Sequence, residues 1–198
     1  MAGPARRKVA PLSVAAFRAW LQSRPDEERW ELINGVPMMM APPTRDHQRI
    51  ASNLERLLND ALELHRPALS AYQRVGLDLG SVAESYDPEP DLAVIDANRG
   101  GDPRYTDRFY LAAEVVSDAD RRTVEGKCEI YKRHPSCNCV LVLRQDRYEV
   151  GVSLRSDDAW REALLTDPGA TLVLPDMGLT CAVADLYKGT AVERGSSR

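Results

Sequence analysis

The sequence predicts an α/β (α+β) fold, a mixed β-sheet flanked by helices, from three observations. The first is the order of patterns: an Asn34-Gly35 hairpin signal, a long helical stripe, a series of apolar strand-like runs, a helix, and then the apolar run Cys139–Leu143. The second is the pair of β-rich runs Leu92–Ile95 and Leu111–Val116, each too short for a helix and bounded by turn residues. The third is length: 198 residues suffice for one domain with a single core and short extensions.

Taken in order, residues 1–12 form a flexible N-terminal arm with prolines and the cluster Arg6-Arg7-Lys8. Ser13 caps a short helix in which Val14, Phe17 and Leu21 make an apolar stripe. The hairpin around Asn34-Gly35 follows, with Trp30, Leu32, Val36, Met38 and Met40 on one face by alternation; the methionines read as mainly core positions and not as soft-metal ligands. A long helix covers about 46–65, with Ile50, Leu54, Leu57, Leu58, Ala61 and Leu64 as its apolar stripe. Tyr72 to Leu79 alternates as a strand with Gly76 as a bulge, and 81–89 is a loop. Pro90 keeps Glu89 extended and feeds the chain into the Asp91 strand. Cys139–Leu143 reads as a strand buried on both faces, Tyr148–Val152 as its hairpin partner, and 155–162 as a charged connection. Thr171–Leu174 is another strand, and Ala182–Tyr187 closes with a helical turn. The domain thus spans 13–187, and 188–198 is a flexible C-terminal tail.

The chemistry concentrates between Pro90 and Tyr131. Asp91 opens one apolar strand and Glu114 lies inside another, where a carboxylate is costly to bury unless a cation compensates it. Alternation puts Asp91, Ala93 and Ile95 on one side of their strand, and Ala112, Glu114 and Val116 on one side of theirs. If the strands are neighbours, the two carboxylates converge. An oxygen-only pair suits Mg²⁺ or Mn²⁺, which keep several waters and accept phosphate oxygens. Lys127 shares a helix face with Val124, Tyr131 and His134, and Gly126 beside it allows close packing on the sheet. Its ammonium could orient a metal-bound water, the arrangement that phosphodiester hydrolysis needs. The plainer reading makes Asp91 a turn or cap residue and Lys127 a solvated one. Asp87, Glu89 and Asp96 fall at loop or opposite-face positions.

Bulk properties set limits. A net charge of −4 argues against strong non-specific nucleic-acid binding. The four cysteines are irregularly spaced and fit reduced thiols; Cys128, Cys137 and Cys139 with His134 give only a poor zinc spacing. No bilayer-spanning or signal-like run is present, so the expected location is cytoplasmic.

The ordered set Trp30-Glu31-Leu32-Ile33-Asn34-Gly35, Ala41-Pro42-Pro43 with His47-Gln48, Pro90-Asp91-Leu92, Glu114-Val115-Val116-Ser117, Lys127 with Tyr131, and the segment from Leu174-Pro175 to Leu186-Tyr187 resembles the Uma-type family of bacterial restriction-endonuclease-like proteins. The resemblance covers about residues 13–187 and implies a PD-(D/E)XK core with a magnesium-dependent endonuclease activity. It would make Asp91 the motif's Asp and Glu114 its second acid, both holding Mg²⁺ or Mn²⁺. Val116 stands where the motif's lysine usually falls, and Lys127 would replace it in positioning or activating water. Glu31 and His47 match recurrent family positions and would serve as auxiliary ligands or phosphate contacts. The implied partner is nucleic acid, DNA ahead of RNA, with no membrane; self-association into a homo-oligomer is compatible with the sequence. Thr123 stands where an acidic residue often precedes the lysine, and the alternative is a catalytically degenerate relative acting as a binding or assembly module.

Overall fold

The Ser13 hydroxyl does start the first helix. Its Oγ accepts the Ala16 amide at 3.2 Å, and α1 runs over Val14–Leu21 with Phe17 buried. The structure, a computed structural model, describes residues 11–98, 100, 102–117, 121–157 and 159–196; most of the expected N-terminal arm lies outside them.

Strands β1 (Trp30–Ile33) and β2 (Val36–Met39) form the expected hairpin. Asn34 and Gly35 take the left-handed φ values of 51° and 73° that a two-residue loop of this hand requires. The expected face is wrong, however. The loop pairs Trp30 with Met39 and Leu32 with Pro37, so Val36 and Met38 share a face with Glu31 and Ile33. Met38 and Met39 are 38% and 63% exposed and belong to the surface, not the core. Leu32 is buried, and its backbone exchanges two hydrogen bonds with Asp87, which pins the hairpin to the chain approaching Asp91.

Helix α2 (Arg45–His65) is capped by Thr44, whose Oγ1 accepts the His47 amide at 3.1 Å. Its buried stripe is Ile50, Ala51, Leu54, Leu58 and Leu62; Leu57 and Ala61 flank it, and Leu64, expected inside, is exposed. The single strand expected from Tyr72 to Leu79 is interrupted. β3 (Leu69–Tyr72) ends there, Arg74 turns the chain at φ 60°, and β4 (Gly76–Leu77) leaves the main sheet. β5 (Leu92–Asp96) follows, and β4 pairs in parallel with β6 (Tyr105–Thr106). Gly76 serves close approach and not a bulge, because a Cβ there would lie 2.5 Å from the Tyr105 ring.

The rest of the sheet comes from β7 (Phe109–Val116), the crossover helix α3 (Arg121–Arg133), β8 (Cys139–Arg144), β9 (Val150–Ser156) and β10 (Ala159–Leu165). The six strands lie in the order β10-β9-β8-β7-β5-β3, antiparallel except for the parallel pair β7–β8. The stretch read as a charged connection, 155–162, instead ends β9 and begins the edge strand β10. Its exposed Arg161 and Glu162 are the charges that discourage edge-to-edge pairing. The chain then forms β11 (Thr171–Leu174), a 3-10 turn (Pro175–Met177), β12 (Leu179–Ala182), α4 (Val183–Leu186) and α5 (Ala191–Ser196). The expected tail therefore carries a short helix, with Thr190 buried and the Ala191 amide donating to Asp46 Oδ1 at 3.2 Å.

Two cores result. Helix α2, the β11–β12 hairpin and α4 cover one sheet face, over Leu92, Val94, Leu111, Ala113 and Leu141. Helix α3 covers the other, over Ala93, Ala112, Val116 and Val140. The alternation predicted for the Asp91 and Glu114 strands is therefore present. Gly126 is exposed and an added Cβ would meet nothing, so it has no part in helix–sheet packing. All four cysteines are free and buried. Among the described residues no helix is long and apolar enough to cross a membrane.

Candidate active site

Antiparallel pairing of β5 with β7 sets Leu92 opposite Ala113, which brings Asp91 across from Glu114. The Val115 amide donates to Asp91 Oδ2 at 2.7 Å, fixing one carboxylate against the residue beside the other. From the start of α2, His47 places Nε2 at 3.1 Å from the same Asp91 oxygen. From α3, Lys127 places Nζ at 2.8 Å from Glu114 Oε1 and 2.9 Å from Glu31 Oε2 on β1. The Tyr131 hydroxyl donates to Glu114 Oε1 at 2.8 Å. All five residues singled out in the sequence thus meet in one place: Asp91, Glu114, Lys127, Glu31 and His47. Tyr131 is an addition. The sequence marks it as part of the helix face and of the family pattern but assigns it no role, although its spacing of one turn from Lys127 is the available signal.

The Lys127 side chain is 4% exposed and that of Glu114 5%, so the solvated-lysine reading fails. Burial pushes Glu114 up to about 7, with the Lys127 ammonium opposing this and the charges of Asp91 and Glu31 adding to it. Burial works against the Lys127 ammonium, but Glu114 and Glu31 outweigh it and raise its pKa. Tyr131 is raised by burial first and then by Glu114. One ammonium therefore serves two buried carboxylates with a third beside them, and the surplus negative charge falls on Glu114.

That surplus gives a pH prediction. The Glu114 proton is held up to about 7 in the folded chain and lost near 4.5 in the unfolded one, so ionisation costs folding stability as pH rises through this window. Relative to Glu114→Gln, the metal-free wild type should lose on the order of 3 kcal/mol between about pH 4.5 and pH 7. Urea unfolding of both proteins across this range measures it; a constant difference would show that Glu114 is ionised throughout.

The donor set fits a hard divalent cation. It consists of carboxylate oxygens, it carries excess negative charge, and Glu31 Oε2 is buried with no aligned hydrogen-bond donor beyond its contact with the Lys127 charge. Among the described residues no group of three or more His, Cys, Asp or Glu side chains is disposed to hold a metal. A site of two carboxylates, Asp91 and Glu114, is the kind that Mg²⁺ completes with water and phosphate oxygens. In the Cys/His segment, His134 Nδ1 lies 2.9 Å from Ser136 Oγ, and Cys137 Sγ is 3.6 Å from the Cys139 carbonyl.

The neighbouring acids are otherwise engaged. Asp87 takes both arms of the Arg18 guanidinium at 2.9 and 2.7 Å, Glu89 pairs with Arg29, and Asp96 accepts the Tyr110 hydroxyl at 2.9 Å. Sequence reasoning passed over Arg29 and Arg74. Burial lowers the Arg29 pKa and the nearby Arg74 adds to this, while Asp91 and Glu31 oppose it, so the Arg29 guanidinium lies within electrostatic reach of the two carboxylates.

A mixed sheet bearing two facing strand carboxylates, with a lysine from the crossover helix, defines a restriction-endonuclease-like α/β protein. The chain belongs to the Uma2 family, described as "Putative restriction endonuclease", which it matches over residues 14–184. Among solved structures it is similar to one described as a "putative nuclease belonging to DUF820" from Anabaena variabilis ATCC 29413, with a TM-score of 0.70 and 17% identity over 89% of this chain and 98% of that one. No curated protein matches it.

Proposed function

We propose that this protein is a cytoplasmic, divalent-metal-dependent endonuclease that hydrolyses phosphodiester bonds, in DNA ahead of RNA. The observation that carries the reading is the convergence of three chain segments: Lys127 Nζ lies 2.8 Å from Glu114 Oε1, and Asp91 accepts the amide of Val115, the residue next to Glu114. Structural needs alone do not account for a lysine and two glutamates buried together in so small a core, since such clusters are poor sources of stability.

In this reading Asp91 and Glu114 would hold Mg²⁺ or Mn²⁺, and the ion when bound supplies charge neutralisation for the phosphate and a more acidic water. Lys127 stays protonated, because its carboxylate neighbours raise its pKa, so it acts as a donor and not as a base. Its ammonium orients the attacking water or a phosphate oxygen as charge builds on the phosphorus. Glu31 holds Lys127 in place from the opposite side, and the Val115 amide and His47 fix the Asp91 carboxylate. Tyr131 fixes the rotamer of Glu114 through its hydroxyl.

Incubation of the purified protein with plasmid DNA, single-stranded DNA and RNA tests this directly. Cleavage that requires Mg²⁺ or Mn²⁺ and stops with chelator is expected. Absence of cleavage on every substrate with either ion, in a protein that binds the ion, would favour the binding-module alternative.

A further inference from the structure

Beside the carboxylate cluster lies a groove of about 550 Å³ whose lining includes Trp30, Tyr72, Arg74, Glu89, Ile95 and Tyr105. It adjoins the site through shared chain: Trp30 precedes Glu31 on β1, and Glu89 is two residues before Asp91. We propose that this groove receives an unpaired nucleotide next to the scissile phosphate, so that the substrate is single-stranded or locally unwound nucleic acid and not intact duplex. The proposal rests on the nuclease reading for the word substrate, but the groove stands on separate observations.

Tyr72 is 42% exposed, and among the described residues its ring has no aromatic or cationic partner and its hydroxyl no hydrogen bond. An aromatic ring left bare on a concave wall is what base stacking uses, and an intact duplex cannot offer a base face to it. Tyr105 is a fixed wall and not a second platform, since the Arg18 guanidinium lies 4.0 Å from its ring centre and the Gly76 backbone packs against its edge.

Arg74 supplies the charge. It holds a left-handed φ of 60°, a conformation that disfavours a side-chain-bearing residue, and among the described residues it has no acidic partner. Glycine would suit that backbone better, and the arginine that stands there instead puts a positive charge on the groove's lining. The groove's acids do not repel a phosphate strongly, because each is already compensated. Asp87 pairs with Arg18, Glu89 with Arg29, Asp102 with Arg104, and Asp96 lies 3.7 Å from Arg108. The chain's net charge of −4 argues in the same direction, against strong non-specific binding along a duplex backbone.

The test uses the full chain carrying Asp91→Asn and Glu114→Gln, in which neither cleavage nor carboxylate repulsion interferes. Fluorescence anisotropy compares a labelled strand of about twelve nucleotides, as DNA and as RNA, with the corresponding DNA duplex. Single strands should bind at least about tenfold more tightly than duplex, and adding Tyr72→Ala or Arg74→Gly should each weaken that binding about tenfold. Melting temperature should be unchanged by Tyr72→Ala and unchanged or raised by Arg74→Gly, an outcome that a merely structural role for Arg74 would not give. Duplex binding as tight as single-strand binding, or groove variants that bind like their parent, would overturn the proposal. The two readings separate in the chain with an intact carboxylate site. Duplex cleavage with Mn²⁺ that the groove substitutions leave unchanged sinks the groove and keeps the nuclease. Groove-dependent strand binding with no cleavage of any substrate keeps the groove and sinks the nuclease.

Discussion

Replacement of Lys127 by methionine is expected to abolish cleavage and to lower folding stability by about 3–5 kcal/mol, the cost of leaving buried carboxylates without their counter-charge. Methionine fills similar space, so the loss is electrostatic: Glu31 and Glu114 face each other across Lys127 Nζ at 2.9 and 2.8 Å. Removal of a donor aimed at developing charge costs on the order of a hundredfold to a thousandfold in rate by itself. Adding Glu114→Gln to Lys127→Met should recover a large part of the stability, because the double variant removes one charge of each sign. The pairing of effects matters more than either alone. Urea unfolding of the two single variants and the double variant reads it. A loss below about 1 kcal/mol in Lys127→Met would show that the lysine compensates nothing, and wild-type cleavage would remove it from the mechanism.

Much of this site could be read in the sequence because its two central features are local. An acidic residue inside a six-residue apolar run is conspicuous in Leu111–Val116, and period-two alternation fixes its face without knowledge of the fold. Helical spacing does the same for Lys127 and Tyr131. What the sequence could not show is that Lys127 reaches Glu31, because that contact joins α3 to a hairpin whose position is set by backbone bonds between Leu32 and Asp87. The errors are likewise physical. The hairpin faces were misread because a two-residue loop sets Ile33 opposite Val36, which puts them on one side. β10 was missed because an edge strand carries charges on positions that a connection would also carry. The Tyr72–Leu79 run hid a left-handed turn because Arg74, unlike glycine or asparagine, gives no sequence signal for φ 60°.

Asp91→Asn and Glu114→Gln should each abolish cleavage by at least about a thousandfold while leaving the metal-free protein as stable as the wild type or more so. The reason is the charge count. With no divalent ion, Glu31 and Glu114 share the Lys127 ammonium with the Asp91 charge beside them, so neutralising one carboxylate relieves repulsion, and each amide keeps the shape and an acceptor oxygen. Asparagine can still accept the Val115 amide that Asp91 now accepts at 2.7 Å. Glutamine can still accept the Tyr131 hydroxyl that now lies 2.8 Å from Glu114 Oε1, and Lys127 keeps Glu31. Mn²⁺ at about a hundred times its dissociation constant should raise the wild-type melting temperature by roughly 5–10 °C and do little for either variant, since an ion stabilises only the state that binds it. If the two acids were structural acceptors alone, neutralising them would instead lower stability by about 1 kcal/mol or more, and the wild type would show no response to the ion. Thermal unfolding of the three proteins with and without Mn²⁺ decides between these patterns, and variants that melt below an ion-insensitive wild type would eliminate the metal site.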